Sequence, residues 1–463
     1  MLYSSPLPYQ ADASAYFAAI RDLPWPAWLD SGGSGRFDIL VAQPVATLVT
    51  QDGQTEIRDV SGVRCSGDDV FSLVREQLGE PIAPMPDIPF AGGALGYWSY
   101  DLARRYHAIP ELTQDAEHLP EMAVGIYDWA IIVDHHELSA RLVSRQRHAE
   151  TAQVLPRLLA RVQGALRFKS DEAKAPFRVN GKITSNFTPA AYRDAFDAVQ
   201  NYLHAGDCYQ VNLAQRYSAQ ASGDACAAYL ELRRLSPAPY SAFLDWPQVK
   251  ILCASPERFL QVQQGRVETR PIKGTRARNA DAVEDARLAD ELRHHPKDRA
   301  ENLMIVDLLR NDLGKDCEPG SVRVPTLFEV ESFANVHHLV STVEGRLQGG
   351  RDALDVLRDC FPGGSITGAP KQRAMEVIEQ LEPHRRGVYC GTVGYVGHDG
   401  NMDTNIVIRT LVYSGNEIRC WAGGGIVADS ICEAEYQETL DKAAAMLDLL
   451  QRFGGKLNRC IPD

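Results

Sequence analysis

The chain has 463 residues, of which 44% are hydrophobic and 24% charged, a composition typical of an ordinary globular protein. Its formal net charge of −13 argues against a nucleic-acid partner, because binding to phosphates requires a basic surface. No apolar stretch reaches the roughly 18 to 20 residues of a membrane-spanning helix, and residues 1–10 lack the pattern of a signal peptide. The 10 cysteines form no Cys-x-x-Cys pair, which is typical of reduced thiols in a cytoplasmic protein.

The N-terminal part of the chain, residues 1–167, mixes short strand-like runs with Gly/Pro turns. Residues 37–41 and 130–134 are two such runs, and residues 148–167 form a predicted helix. The polar segment that follows, residues 168–189, is expected to be a linker to a second region, residues 190–455.

In the second region, Thr188 and Pro189 have the residue types of an N-cap and first turn, and predict a helix over 190–204. Residues 210–217 and 405–412 alternate polar and apolar side chains, which predicts strands with one buried face. Further helices are expected at about 284–312, 351–358, 369–382 and 433–452. We predict an α+β fold with large, mostly antiparallel sheets.

Two acidic pairs are spaced three residues apart on predicted helices: Asp298 with Glu301, and Glu435 with Glu438. Side chains at this spacing share one helix face. Two such faces brought together would offer the carboxylate oxygens that Mg²⁺ prefers. The spacing alone is more often that of two solvated charged surfaces.

Glycine-rich segments at 363–371 and 423–425 are candidate anion sites, since backbone N–H groups ahead of a helix bind negative charge. The first is not a P-loop, because the spacing of that motif is absent. Arg409, on a predicted strand, could clamp a carboxylate. Each feature taken alone is also compatible with a turn or a surface ion pair.

Glu257 and Lys273 are flanked by extended segments, and a hairpin between those segments would bring the two side chains together. A desolvated lysine can lose its proton and act as a nucleophile, while a carboxyl in the same pocket can act as an acid. A surface lysine is the plainer alternative. His338, between apolar residues, has the pattern of a core histidine.

Taken together and in order, these segments closely resemble the chorismate-utilising enzymes, a family that includes anthranilate, aminodeoxychorismate, isochorismate and salicylate synthases. The resemblance covers most of residues 190–450, and residues 90–101 are similar to the family's first-half signature. It rests on the following segments: 206–213, 255–257, 271–275, 301–312, 338–341, 363–371, 389–395, Arg409, 423–425 and 435–442. It implies a large two-sheet antiparallel β-sandwich flanked by helices.

The resemblance also implies a role for each motif residue. Glu301, Glu435 and Glu438 would hold Mg²⁺ with Asp298 beside them, and Lys442 would add positive charge at the ring carboxylate of chorismate. Glu257 would be the general acid, and His338 would be the family's active-site histidine. The remaining residues implied to contact or enclose the substrate are Gly274, Thr275, Ser365, Thr367, Tyr389, Arg409, Gly423, Gly424 and Gly425.

Two positions distinguish the members of the family. Isochorismate and salicylate synthases carry a water-activating lysine where this chain has Gln210, and anthranilate synthases carry alanine where it has Lys273. A lysine at 273 is similar to the members that aminate C4 of chorismate in the synthesis of para-aminobenzoate and folate. There it is the covalent nucleophile, and the product is 4-amino-4-deoxychorismate.

The segment around Ser31, Arg36 and Phe37 resembles the tryptophan pocket of relatives, with Pro239, Tyr240 and Ser241 as its other wall. The loop between Ser31 and Arg36 is short, which leaves tryptophan binding open.

The chain lacks a glutaminase nucleophile motif and has no apparent fused lyase. We therefore expect chorismate and ammonia as substrates, with the ammonia supplied by a separate glutamine amidotransferase subunit. Anthranilate synthase component I, isochorismate synthase and a non-catalytic regulatory subunit are the alternatives.

Overall fold

The computed structural model describes residues 2–167, 175–333 and 336–457. Within these ranges, ten α-helices are formed: α1 (Ser14–Ile20), α2 (Val70–Leu78), α3 (Ala149–Arg167), α4 (Pro189–His204), α5 (Ala225–Leu235), α6 (Ala282–His294), α7 (Pro296–Leu313), α8 (Ala353–Cys360), α9 (Lys371–Leu381) and α10 (Cys432–Arg452). Two short 3₁₀ helices cover Tyr100–Arg105 and Gly364–Ile366.

The same ranges contain 25 strands. The first thirteen are β1 (Tyr3–Leu7), β2 (Ala27–Asp30), β3 (Phe37–Val41), β4 (Ala46–Gln51), β5 (Gln54–Asp59), β6 (Gly62–Ser66), β7 (Gly93–Trp98), β8 (Met122–Tyr127), β9 (Trp129–Asp134), β10 (Ser139–Ser144), β11 (Arg178–Ser185), β12 (Gln210–Ser222) and β13 (Tyr240–Asp245). The others are β14 (Lys250–Ser255), β15 (Arg258–Gln263), β16 (Arg266–Thr269), β17 (Ile272–Ala277), β18 (Arg323–Ser332), β19 (Val336–Arg346), β20 (Gly368–Ala369), β21 (Thr392–Gly397), β22 (Met402–Asn405), β23 (Thr410–Ser414), β24 (Glu417–Ile426) and β25 (Lys456–Leu457).

The described strands form two sheets. The larger sheet has 13 strands in the order β1-β10-β9-β3-β2-β13-β14-β23-β24-β12-β11-β25, with β20 also paired to β12. The smaller sheet has 12 strands in the order β17-β19-β16-β15-β22-β21-β7-β8-β4-β5-β6, with β18 paired to β19. The strand pairs are antiparallel except for β11 with β25. Both sheets contain strands from the first and the second part of the chain, so neither part forms a sheet alone.

The two sheets pack face to face, and helices cover the outer face of the larger one. Neighbouring residues of β14 point in opposite directions: Ile251 packs with Leu48 and Leu95 of the smaller sheet. Leu252 packs on the other side with Tyr229 of α5 and Leu447 of α10. Because both faces are covered, the central strand β14 is apolar and buried over residues 251–254, as expected for a strand buried on both sides.

Several predicted elements are confirmed. The runs at 37–41 and 130–134 are β3 and most of β9, and the helix from 148 is α3. Helix α4 starts where predicted, because the Thr188 side chain accepts a hydrogen bond from the backbone N–H of Ala191 and Pro189 occupies the first turn.

The helix expected over 284–312 is two helices, α6 and α7. His295 ends α6 and also caps α7, where its side chain accepts from the N–H of Asp298. Pro296 follows, and a residue before proline is disfavoured in the helical conformation, which explains the break.

The expected linker contains a strand, and the expected strand at 405–412 is broken. Residues 178–185 form β11 on the edge of the larger sheet, where a register shift interrupts the alternation of its two buried side chains, Val179 and Ile183. Residues 168–174 lie outside the described part. Residues 406–409 leave the sheet, so Arg409 precedes β23 rather than lying within a strand.

The strand predicted over 210–217 is the start of β12, but both of its faces are buried there, not one. The reason is that α4 and α9 pack on it: Val211 and Leu213 lie in one apolar cluster with Val199 and Val377. Within the described residues, no helix is long and apolar enough to cross a membrane.

Candidate active site

The chain crosses from one sheet to the other at two adjacent points. Residues 256–257 lead from β14 to β15, and residues 406–409 lead from β22 to β23. The two crossings are joined directly: the N–H of Ile406 donates to the carbonyl of Glu257 at 3.0 Å, and the Ser255 hydroxyl donates to the carbonyl of Ile406 at 2.6 Å. Glu257 and Arg409 are therefore fixed at the seam between the sheets.

Glu257 and Lys273 converge on one residue, Ser365. The Lys273 amine donates to the Ser365 carbonyl at 3.2 Å. The Ser365 hydroxyl and the N–H of Ile272 lie close enough to the Glu257 carboxylate to lower its pKa. The hairpin expected between residues 251–253 and 267–270 is not formed, because the first segment belongs to β14 of the larger sheet and the second to β16 of the smaller one. The hairpin that lies between Glu257 and Lys273 is instead β15–β16. Lys273 lies in the next strand, β17, whose start follows the hairpin directly.

The surroundings shift the pKa of both groups in the direction that their expected roles require. Burial raises the pKa of Glu257 above its usual 4.5, against the lowering effects of Ser365 and Lys273. Burial, together with the charge of Lys442, lowers the pKa of Lys273 below its usual 10.5, although Glu301 and Glu257 oppose this. Burial thus shifts both pKa values in the direction of the uncharged forms, while the charge of each group opposes the shift of the other.

Arg409 has a left-handed backbone, with φ of 50°. Burial lowers the pKa of its guanidinium, and no carboxylate among the described residues pairs with it. A partly buried cation of this kind suits an anionic ligand. Tyr389 lies on the neighbouring segment, since Cys390 N–H donates to the carbonyl of Val407, and its ring stacks on Trp421 at 5.9 Å.

His338 faces Arg409 and Thr275. Its Nδ1 lies 2.9 Å from the Thr275 hydroxyl, and its pKa is lowered to about 4 by burial and by the charge of Arg409. The imidazole is therefore neutral near pH 7. Gly274, beside Thr275, has φ of 80°, and a Cβ there would lie 2.8 Å from the Asp298 carboxyl carbon, so only glycine fits.

The carboxylates of α10 meet the glycines of β24. A Cβ on Gly424 would lie 2.9 Å from Oε2 of Glu435 and 3.6 Å from Oε1 of Glu438. Lys442 donates to Glu438 at 2.6 Å and to the carbonyl of Gly423 at 3.0 Å. Glycine at position 424 lets the two carboxylates approach the backbone of β24, where a Cβ would crowd them.

Glu301 on α7 belongs to the same acidic group. Burial raises the pKa of Glu301, and the charges of Glu435 and Glu438 act in the same direction. Lys297, one helical turn before Glu301, lies 3.4 Å from Oε1 of Glu435 and 4.0 Å from Oε1 of Glu301. This lysine was not predicted, although its spacing of four residues from Glu301 could have indicated it.

Asp298 is held away from this group by Arg276 at 3.2 Å and His295 at 3.0 Å. In the described ranges, no cluster of three or more His, Cys, Asp or Glu is close enough to hold a metal ion as it stands. Lysines instead neutralise the carboxylates. Oε2 of Glu435 is nevertheless buried without a hydrogen-bond partner among the described residues. Carboxylate oxygens with one such free atom fit a hard cation.

The loop of residues 363–371 closes the site from the side of α9. Thr367 is fully buried, and its hydroxyl donates to the carbonyl of Gly363 at 3.0 Å, so it stabilises the loop. Gly368 has φ of 143°, and a Cβ there would lie 2.1 Å from the carbonyl oxygen of Gln210. The side-chain amide of Gln210 is fully buried and lies against Gly425.

The six residues expected to form an amino-acid pocket lie together, at a cavity of about 560 Å³. These are Ser31, Arg36, Phe37, Pro239, Tyr240 and Ser241. Arg36 stacks over Phe37 and pairs with Asp134 at 2.9 Å. The cavity is separate from the site at Lys273, but Pro256 and Ile272, the neighbours of Glu257 and Lys273 in the chain, form part of its wall.

The fold has two facing antiparallel sheets, and Lys273, Glu257 and Arg409 lie at the seam between them. Arg409 pairs with no carboxylate among the described residues. This combination indicates the class of the protein. The profile of the family described as chorismate binding enzyme matches residues 26–448. The chain belongs to this family.

Known relatives narrow the comparison. Aminodeoxychorismate synthase component 1 of Klebsiella aerogenes is 48% identical over 454 residues, covering 96% of this chain and 98% of the relative. Anthranilate synthase component 1 of Thermus thermophilus is 38% identical, covering 96% of each. The crystal structure of anthranilate synthase component I from Streptococcus pneumoniae TIGR4 superposes with a TM-score of 0.79 at 33% identity, over 89% of this chain and 92% of that one. The predicted two-sheet α+β fold is confirmed.

Proposed function

We propose that this chain aminates chorismate at C4 to 4-amino-4-deoxychorismate, in the synthesis of para-aminobenzoate and folate. The observation that carries the proposal is the pair of Lys273 and Glu257 at Ser365, with pKa values shifted toward a neutral amine and a protonated carboxyl. The similarity to aminodeoxychorismate synthase component 1 over nearly the whole chain supports the same function.

In the proposed reaction, the Lys273 amine attacks C2 of chorismate, both conjugated ring double bonds shift toward C4, and the C4–O bond breaks so that the hydroxyl leaves as water with the proton of Glu257. Ammonia then adds at C4, both double bonds shift back, and the C2–N bond to Lys273 breaks to release the lysine as a neutral amine. A neutral amine is needed because an ammonium group has no electron pair to donate. The balance is chorismate plus ammonia giving aminodeoxychorismate plus water.

Arg409 and Tyr389 would bind the enolpyruvyl carboxylate, since Arg409 has no internal carboxylate partner among the described residues. The glycines of β24 would let the ring approach the carboxylates of α10, because a side chain at Gly424 would fill that space. His338 would hold Thr275 as a neutral hydrogen-bond partner, not act as a proton donor.

Glu301, Glu435 and Glu438 would hold Mg²⁺, whose chemistry is to bind the ring carboxylate and offset its charge. The free buried oxygen of Glu435 supports this proposal. The present contacts of Lys297 with two of these carboxylates imply that the lysine competes with the ion.

Ammonia would come from a separate glutamine amidotransferase subunit. The designation of the relatives as component 1 supports a partner, and the chain carries no glutaminase nucleophile motif of its own. A cytoplasmic location is supported by the wide spacing of the cysteines, which form no Cys-x-x-Cys pair. We also propose that the cavity at Ser31 and Tyr240 binds an amino acid, with tryptophan as the first ligand to test by thermal shift.

The deciding experiment is incubation of the purified chain with chorismate, Mg²⁺ and ammonium, with mass and NMR analysis of the product. We expect amination at C4 without loss of pyruvate, and no turnover with glutamine until an amidotransferase subunit is added. Anthranilate as the product would refute the proposed reaction. Glutamine-dependent turnover by the chain alone would refute the separate partner.

A further inference from the structure

Arg386 is a buried cation behind the site, 1% exposed, in the turn after α9. Its guanidinium donates twice to the Glu382 carboxylate, at 3.0 and 2.6 Å. The remaining donors reach two backbone carbonyls, Ile366 at 2.9 Å and Asn212 at 2.8 Å. One side chain thus ties together three separate segments.

Both carbonyls belong to walls of the site. Ile366 follows Ser365, the residue on which Lys273 and Glu257 converge. Asn212 lies on β12 opposite Gly425. Glu382 extends the link, because its Oε1 also accepts from the N–H of Ala214, the residue opposite Gly423.

The geometry requires a planar fork with several donors. Arginine can satisfy a carboxylate and two carbonyls in different directions at once, whereas lysine has a single nitrogen on a flexible stem. A buried ion pair also contributes little net stability compared with apolar residues of the same volume. Arg386 and Glu382 therefore act mainly on the spacing of the surrounding segments and less on the free energy of unfolding.

We propose that Arg386, held by Glu382, is a positioning residue for the reaction. It sets the distance between the 364–367 loop and β12, and through Ile366 it keeps Ser365 in contact with Lys273 and Glu257. This inference rests on the proposed function for its kinetic consequence, but the positioning itself can be measured without turnover.

The test compares Arg386→Lys with a matched control, Arg104→Lys. Arg104 is also largely shielded from solvent and paired, with Asp101 at 3.0 Å and with Glu379 of α9 at 2.5 Å, but its backbone carbonyl partner is Pro110, which belongs neither to the 364–367 loop nor to β12. We expect kcat with ammonium to fall at least about tenfold and the KM for chorismate to rise in Arg386→Lys. The KM for ammonium should stay unchanged, and Arg104→Lys should keep all three values.

A second variant separates positioning from folding. Arg386→Met with Glu382→Leu replaces the buried pair by apolar side chains, and we expect a cooperative thermal transition with faster hydrogen exchange confined to residues 364–369 and 211–214. Chorismate affinity, measured at equilibrium, should be weaker by at least about tenfold.

Two results would overturn the inference. One is exchange of the 364–369 amides at the wild-type rate in Arg386→Lys, and the other is kinetics identical to those of Arg104→Lys. If the chain instead makes no aminodeoxychorismate while the loop exchange and chorismate affinity respond as expected, the proposed reaction fails and the positioning role stands.

Discussion

The ammonium group of Lys297 lies 3.4 Å from Oε1 of Glu435, and the same oxygen accepts a hydrogen bond from the Ser430 hydroxyl at 2.6 Å. The lysine thus occupies the position of a counter-cation beside a carboxylate that we assign to Mg²⁺. Its side chain is 37% exposed, so it can swing into solvent when another cation binds.

Lys297→Met should therefore bind Mg²⁺ about tenfold more tightly, because a cation that competes for the same carboxylate is removed. A tenfold change in affinity corresponds to about 1.4 kcal/mol of binding free energy. Isothermal titration with Mg²⁺, or with Mn²⁺ as a probe, measures this directly. Lys250→Met is the matched control, because Lys250 is similarly exposed but pairs with Asp245, away from the site. Unchanged or weaker metal affinity in Lys297→Met would contradict the competition.

Glu435→Gln should keep the fold and lower Mg²⁺-dependent turnover by at least about 100-fold. The amide can still accept from Ser430, so the loss is that of a charged metal ligand. Asp298→Asn should be much milder, because Asp298 is engaged by Arg276 and His295. Near-normal activity of Glu435→Gln at limiting Mg²⁺ would show that this carboxylate does not bind the metal.

Lys273 should form a covalent adduct with chorismate. Intact-protein mass after quenching should increase by chorismate minus water in the wild type, and in neither Lys273→Ala nor Lys273→Arg. Arginine stays protonated and cannot act as a nucleophile. Lys273→Ala should be slow, and any product it makes should shift toward C2 amination. Normal C4 amination by Lys273→Ala, with no adduct in the wild type, would mean that Lys273 only contributes positive charge to the pocket.

The rate of adduct formation should show a bell-shaped dependence on pH. The amine must be neutral, which requires a pH near or above the lowered pKa of Lys273, and the acid must be protonated, which requires a pH near or below the raised pKa of Glu257. The rate is highest at pH values between the two pKa values. Each unit by which the difference between these pKa values decreases raises about tenfold the fraction of molecules that hold both a neutral amine and a protonated carboxyl.

Single-turnover quench experiments without ammonium measure this profile free of the titration of ammonia itself. Glu257→Gln should remove the descending limb. A rate that simply rises with a midpoint at the usual lysine value of 10.5 would mean that the site does not shift these groups.

His338 should stay neutral down to about pH 4, because its pKa is lowered to about 4. Its contribution to stability is therefore present above the unfolded value of about 6.5 and is lost as the pH falls from there toward 4. Histidine NMR titration, with His338→Asn to assign the signal, checks the pKa. A midpoint near 6.5 in the folded chain would be inconsistent with the buried contact to Thr275.

Much of the fold was predictable because local patterns and global packing agree. The runs at 37–41 and 130–134 and the cap at Thr188 are determined by nearby residues. The strand predicted through Arg409 failed for a tertiary reason, since the chain leaves one sheet and joins the other at that point, and alternation of side chains carries no sign of such a crossing.

The residues of the site, like the elements of the fold, include some that the sequence predicts and some that it does not. Residues within recognisable motifs, such as Glu257 and Lys273, could be found from sequence, and the structure brings them together. Arg386 could not, because next to His384 and Arg385 it has the pattern of an exposed basic turn. Its burial depends on Glu382 and on carbonyls from two distant segments, which no local spacing encodes.

The position of the site between the two sheets affects how different reactions can be carried out on this fold. Lys273, the amine proposed to attack, lies on β17 of the smaller sheet. The glycines and carboxylates that would hold the ring belong to β24 and α10, on the side of the larger sheet. The residue that would attack and the residues that would hold the ring thus belong to different sheets. We expect a change at position 273 to redirect the chemistry from one ring carbon to another without rebuilding the surface that holds the ring.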